Sequence, residues 1–157
     1  MSKALSPETA DRVQRNTAVE TNERIKRETE ERVKTYESRS REEITRRIEE
    51  LDREWDIERW LETNASTLAL TGVTLGVLHS KKWLIVPGIV LPFLLQHAVQ
   101  GWCPPLPLMR RFGIRTSEEI EREKYALKVL RGDFEQTIQT SSDNGKRAEL
   151  ALQAVQA

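Results

Sequence analysis

Residues 83–109 contain no Asp, Glu, Lys or Arg, in a chain where 32% of residues are charged. A second uncharged run, residues 63–80, precedes it, and only Lys81 and Lys82 separate the two. Lipid offers no hydrogen bonds to a backbone, so a segment that enters it must satisfy its own N–H and C=O groups as a helix or a closed barrel. A spanning helix takes about 20 residues, within a range of about 17–25. Both runs reach that length, the first barely. The connection His79-Ser80-Lys81-Lys82 is short enough to make them a hairpin. The mean hydropathy of −0.59 therefore averages over two solvents. A buried hairpin of a soluble domain is the alternative, and it fails on supply: the remaining chain has too little apolar surface to cover these helices.

The two runs differ in strength. The second carries ten Leu, Ile, Val or Phe residues, each worth about −0.3 to −0.6 kcal/mol near the bilayer centre. Gln96, His97, Pro87 and Pro92 subtract from that sum. The first run has six such residues against Asn64, Ser66 and four threonines, so it is expected to insert together with its neighbour. Arg46, Arg47, Arg53 and Arg59 precede the hairpin and Arg110, Arg111 and Arg115 follow it, against two lysines in the loop. That asymmetry predicts both termini in the cytoplasm. Trp60, Trp83 and Trp102 fall near the expected interfaces. Met1 to Ala10 holds no apolar run, so no cleavable signal peptide is expected.

Residues 1–62 hold 17 of the 25 acidic and 14 of the 25 basic side chains. Ser6-Pro7-Glu8 has the form of a helix start, and neither Gly nor Pro recurs before residue 62. Ten acidic residues have a basic residue four positions later, from Glu8–Arg12 to Glu49–Arg53, each pair adding about 0.2–0.5 kcal/mol to a helix. The expectation is one long charged helix. Its thin apolar stripe includes Val33, Ile44, Ile48, Leu51 and Trp55, and the 4-3-4 spacing of the last four makes them a candidate coiled-coil seam. A solitary solvated helix is the alternative. The overall balance of 25 basic and 25 acidic residues gives no pull toward nucleic acid.

After the hairpin, Pro104, Pro105 and Pro107 stiffen the exit, and residues 108–112 can form one short turn closed by Gly113. Thr116-Ser117-Glu118-Glu119 is a capping box. It opens an amphipathic helix to about Arg131, with Ile120, Ala126, Leu127 and Leu130 on its apolar side and Gly132 as its stop. The expected organisation is a charged cytoplasmic helix over 1–62, a transmembrane helical hairpin over 63–103, a Pro-rich turn and amphipathic helix over 104–134, and a flexible tail over 135–157. The fold class is all-α.

Ala65, Ala69, Gly72 and Gly76 recur at 4-3-4 spacing and share one helix face. Gly72-Val73-Thr74-Leu75-Gly76 is a GxxxG pattern, which lets another backbone approach closely in lipid. The partner is either the second helix or a second copy of the chain. Pro87-Gly88 and Pro92 allow a kink in the second helix. His97 and Cys103 are the reactive side chains near the membrane, but they lie six positions apart with no third ligand beside them. His97 is expected to bond a neighbouring backbone group or Gln96. No phosphate loop, paired carboxylate or zinc spacing occurs, so neither catalysis, a cofactor nor a metal is expected.

The segment 60–113 resembles the two-helix inner-membrane domain found at the C-terminus of a bacterial membrane-bound rhodanese, which also stands alone as a domain of unknown function. The resemblance lies in the hairpin with its short loop, the exit Gly101-Trp102-Cys103-Pro104, then Leu108 and Arg111-Phe112-Gly113-Ile114. It implies a hairpin in the bacterial inner membrane that can dimerise. The sulfur-transferring domain of that rhodanese has no counterpart here, so sulfurtransferase activity does not carry over. The expected function is a non-enzymatic, membrane-anchored helical scaffold or interaction module. It would sit in a lipid bilayer, self-associate through the N-terminal helix or the first membrane helix, and hold an unidentified protein partner. The alternative is an accessory role in membrane-associated thiol or sulfur chemistry using Cys103.

Overall fold

The computed structural model describes residues 12–134. The expected helix start at Ser6-Pro7-Glu8 and the expected flexible tail over 135–157 lie outside the described residues. Among the described residues all regular structure is helical: α1 (Arg12–Arg15), α2 (Val19–Tyr36), α3 (Arg41–Arg53), α4 (Ile57–Leu78), a 3-10 turn (Lys81–Leu84), α5 (Ile85–Gln100), α6 (Leu106–Arg111) and α7 (Ser117–Arg131). The described residues form two compact units, one of residues 12–26 and 55–119, the other of residues 27–54 and 120–134.

The expected single charged helix is interrupted in three places, each by a polar side chain that bonds backbone. After α1, the Asn16 side-chain amide donates to the carbonyl of Arg12 at 2.8 Å and the Thr17 hydroxyl to that of Val13 at 2.8 Å. Such local bonds compete with the helical ladder. Between α2 and α3, Ser40 starts a new helix with a capping box: its hydroxyl accepts from the Glu43 amide at 3.3 Å while its own amide donates to Glu43 Oε2 at 3.1 Å. Between α3 and α4, Asp56 is the N-cap and accepts from the Arg59 amide at 2.8 Å. Helix α4 consequently starts at Ile57, upstream of the expected Thr63, and takes in Glu58, Arg59 and Glu62.

In the first unit α4 and α5 pack as a helical hairpin through the 3-10 turn. Among the described residues, one helix is long and apolar enough to cross a membrane: Lys81–Gln100, of which only 11% is buried. Helix α4, which carries Glu62, Asn64 and four threonines, does not reach that mark. Beneath the hairpin, Val13, Ile57, Leu61, Cys103 and Leu106 form a core, with Trp102, Met109 and Ile114 packed against it. Helix α5 ends at Gly101, whose φ of 74° is a left-handed conformation that favours glycine. A Cβ there would also lie 2.6 Å from the backbone of Arg12. Asn16 of the adjoining segment donates to the Gln100 carbonyl at 2.9 Å, satisfying one of the acceptors that a helix end leaves open.

In the second unit Ile44, Ile48 and Leu51 of α3 are buried with Ile120 and Leu127 of α7, and Tyr36 packs beside them. The face expected to be an intermolecular seam is therefore covered within the chain. Val33 is half-buried and Trp55 is exposed; Trp55 belongs to the first unit, its ring 5.2 Å from that of Trp60. Leu130, expected on the packed side of α7, is 40% exposed, whereas Glu123 is fully buried. Arg32 Nε donates to Glu123 Oε2 at 3.2 Å, and Arg47 donates from Nε and Nη2 to Oε1 at 3.0 and 2.9 Å.

Candidate functional site

A cavity lies at the open end of the hairpin, opposite its tight turn. Helix α4 contributes Leu61, Asn64, Ala65 and Leu68; α5 contributes Ile89, Val90, Phe93, Leu94 and His97; the exit adds Cys103, Pro104 and Pro105. Together they line a cavity of about 260 Å³. Its walls are almost wholly apolar, and the polar side chains on them are Asn64 and His97.

The hairpin is packed closely near its turn. Near the turn, Gly72 faces Pro87, Val86 and the backbone of Trp83, and Gly76 faces Leu84. Missing side chains let the helices approach there. Ala65 and Ala69, lower on the same face, are half-buried, and Ala65 lies on the cavity wall. Within the chain, Gly72 meets the turn and the start of α5, and Gly76 meets Leu84 of the 3-10 turn.

His97 is 5% exposed, and neither ring nitrogen has a hydrogen-bond partner. Its expected neighbour Gln96 bonds Gln100 instead, at 3.4 Å. The Asn64 amide donates to the Trp60 carbonyl at 2.7 Å. Cys103 is 3% exposed. Burial pushes its thiol pKa up, against a smaller lowering by the Leu106 backbone amide, so the nucleophilic thiolate is disfavoured. Among the described residues no three His, Cys, Asp or Glu side chains group as a metal site.

Sequence reasoning overlooked the polar knot below the cavity. Arg110 is 1% exposed and holds Glu119 through both Nη atoms, at 2.6 and 2.7 Å. The same guanidinium donates to the Ile114 carbonyl at 3.1 Å and to Asn22 Oδ1 at 2.8 Å. Glu119 also closes the α7 capping box by accepting from the Thr116 amide at 2.9 Å. The exit segment is thus tied at Gly101 and again at Gly113, where φ is 81° and the Ile114 amide bonds Met109. The capping box pointed to Glu119, but nothing in the local sequence marks Arg110 as its interior partner.

The chain matches no protein-family model, no curated protein and no solved structure.

Proposed function

We propose that this protein is a non-enzymatic, membrane-anchored helical interaction module, with 63–78 and Lys81–Gln100 seated in a lipid bilayer. The observation that carries the proposal is uncovered apolar surface. Lys81–Gln100 is only 11% buried, and Leu70, Val77, Leu78, Ile85, Leu95 and Val99 are each at least 66% exposed. Contiguous apolar patches beyond a few hundred Å² are rare on soluble monomers; lipid tails cover such a patch without cost.

The weaker first run becomes tolerable because its polar groups bond their own helix. Thr67 donates to the Thr63 carbonyl at 2.7 Å, Thr71 to the Thr67 carbonyl at 2.8 Å, and Asn64 to Trp60. Internal satisfaction removes most of the penalty for placing these groups in hydrocarbon. Basic residues on both flanks favour a hairpin with its ends in the cytoplasm. The resemblance of the Gly101-Trp102-Cys103-Pro104 exit points to a bacterial inner membrane. Outward faces of the hairpin are the surfaces left for a second copy, and the charged helices are those for a protein partner. The buried Cys103 thiol weighs against the thiol-chemistry alternative.

The test is fractionation of cells expressing the full chain, followed by cysteine accessibility. The chain is expected to stay in the membrane pellet through alkaline carbonate. A cysteine replacing Ser80 in a Cys103→Ala background is expected to react with an impermeant maleimide from outside, and one replacing Arg131 only after lysis. Release by carbonate, or a monodisperse chain in buffer without detergent, would end the proposal.

A further inference from the structure

Helix α6 is amphipathic in the reverse of the usual sense. Its inner side carries Leu106, fully buried, and Arg110, whose guanidinium is held by Glu119 and Asn22. Its outer side carries Leu108 at 58% and Phe112 at 78% exposure. The Phe112 amide bonds the Leu108 carbonyl at 3.1 Å, so these two side chains lie one turn apart on one face. Exposed Pro104, Pro105 and Arg111 border them, and no acidic side chain occurs from Trp83 to Phe112. Facing water, such a helix is costly twice, since a cation is taken out of solvent while a leucine and a phenyl ring are left in it. Facing lipid, the outer side loses that cost, and its one charge is a cation.

The level of α6 in the fold says what covers this face. Leu106 shares a core with Ile57 and Leu61 of α4, and the Ile57 amide bonds the Arg115 carbonyl at 3.0 Å. Leu61 precedes the bilayer segment that starts at residue 63 by about 3 Å, and Ile57 by about 9 Å, at about 1.5 Å per residue. The headgroup layer of one leaflet is about 5–8 Å deep, so α6 lies at its level. Trp60, 41% exposed in the first turn of α4, is the type of side chain that collects in that layer. An arginine beside apolar residues suits the same boundary, its stem along acyl chains and its head in the polar region. We propose that α6 is a further membrane contact, flat in the headgroup layer of the cytoplasmic leaflet, with Leu108 and Phe112 among acyl chains and Arg111 on the phosphate of an anionic phospholipid. The proposal rests on the membrane reading of the hairpin.

The test puts p-benzoylphenylalanine in place of Phe112, and separately in place of Leu70, in the full chain in nanodiscs of equal phosphatidylglycerol and phosphatidylcholine. Both side chains are exposed, so neither replacement disturbs packing. Irradiation followed by mass spectrometry is expected to show phospholipid adducts at both positions. At position 112 phosphatidylglycerol should exceed phosphatidylcholine about fivefold, the effect of one cation at an anionic leaflet. Arg111→Gln should bring that ratio close to one and leave the ratio at position 70 unchanged. Lipid adducts at position 70 with none at 112, or chain-to-chain adducts at 112, overturn the proposal and leave the membrane reading standing. Equal yields of the two lipids at 112, or a ratio that Arg111→Gln does not move, overturn it as well. Absence of lipid adducts at both positions sinks the membrane reading and this proposal with it.

Discussion

Gly72 and Gly88 offer a matched pair of substitutions in one hairpin. Replacing a helical glycine by alanine stabilises the helix by about 0.5–1 kcal/mol through lost unfolded-state freedom. At Gly88 that gain stands alone, since an added Cβ meets nothing within 4 Å. At Gly72 the same Cβ would lie 2.5 Å from Pro87 Cδ, 3.0 Å from Val86 Cβ and 3.2 Å from the Trp83 carbonyl oxygen. These are a ring and backbone-proximal atoms, which cannot swing aside, so the helices must part. Inserting a methyl into close packing costs about 1–3 kcal/mol. The propensity gain cancels between the two variants, and Gly72→Ala should be less stable than Gly88→Ala by that whole amount. Gly76→Ala falls between them, because its obstacles are the Cδ2 and Cγ of Leu84 at 2.6 and 2.9 Å, the far end of a side chain that can rotate. The assay is reversible unfolding in mixed micelles with rising dodecyl sulfate, followed by far-UV circular dichroism, with particle mass measured in parallel. Equal stabilities for Gly72→Ala and Gly88→Ala would refute the intrachain packing. A Gly72→Ala chain of unchanged stability but reduced particle mass would show that the small-residue face joins two copies instead.

Glu123→Ala should destabilise the second unit by about 3 kcal/mol, the low end of the range for breaking a buried pair, because Arg32 remains 36% exposed; denaturant unfolding followed by circular dichroism measures it. Gly101→Ala places a Cβ at a φ of 74° and 2.6 Å from the Arg12 backbone. The left-handed conformation alone costs about 1–2 kcal/mol, so a loss above that is expected in the micelle titration, and a neutral result would contradict the close approach. Cys103 should react with maleimide far more slowly in the folded chain than in dodecyl sulfate, and equal rates would contradict its burial. Because burial raises the Cys103 pKa from an ordinary 9.0, the stability it contributes is complete below that pH and is lost as pH rises through the raised value. Cys103→Ala should flatten the alkaline decline.

Two capping boxes show how far the fold was legible. Thr116 to Glu119 is read directly as the start of α7, and Gly132, at a φ of 86°, ends it. Ser40-Arg41-Glu42-Glu43 has the same pattern and also opens a helix, yet ten favourable charge pairs and the absence of Gly or Pro pointed to continuity through it. Each pair adds a few tenths of a kcal/mol to a helix but carries no information on where one helix stops and another starts. The apolar seam was likewise legible as a face and illegible as to its partner. Ile44, Ile48 and Leu51 had to be covered by something. Their partner, α7, presents Ile120 and Leu127 with Glu123 between them, and a glutamate in a stripe reads as solvent-facing. Arg32 and Arg47, 91 and 76 positions away in sequence, bond it in the interior.

The cavity was less legible. Residue types predict which side chains turn inward, but a void is the place where those side chains fail to meet. His97 invited the expectation of a local partner because most buried imidazoles have one. In α5 the nearby carbonyls serve the helix's own ladder and its cap, the His97 carbonyl itself accepting from Gly101 at 2.7 Å. Gln96 turns along the helix to Gln100, and the Asn64 amide turns back to Trp60. Both ring nitrogens are thus enclosed without a hydrogen-bond partner. A residue selected only for packing would be replaced there by leucine at a gain in stability. His97→Leu should therefore stabilise the hairpin in the micelle titration, and a His97→Leu chain that is less stable than the parent would mean that the imidazole already has a partner within the fold.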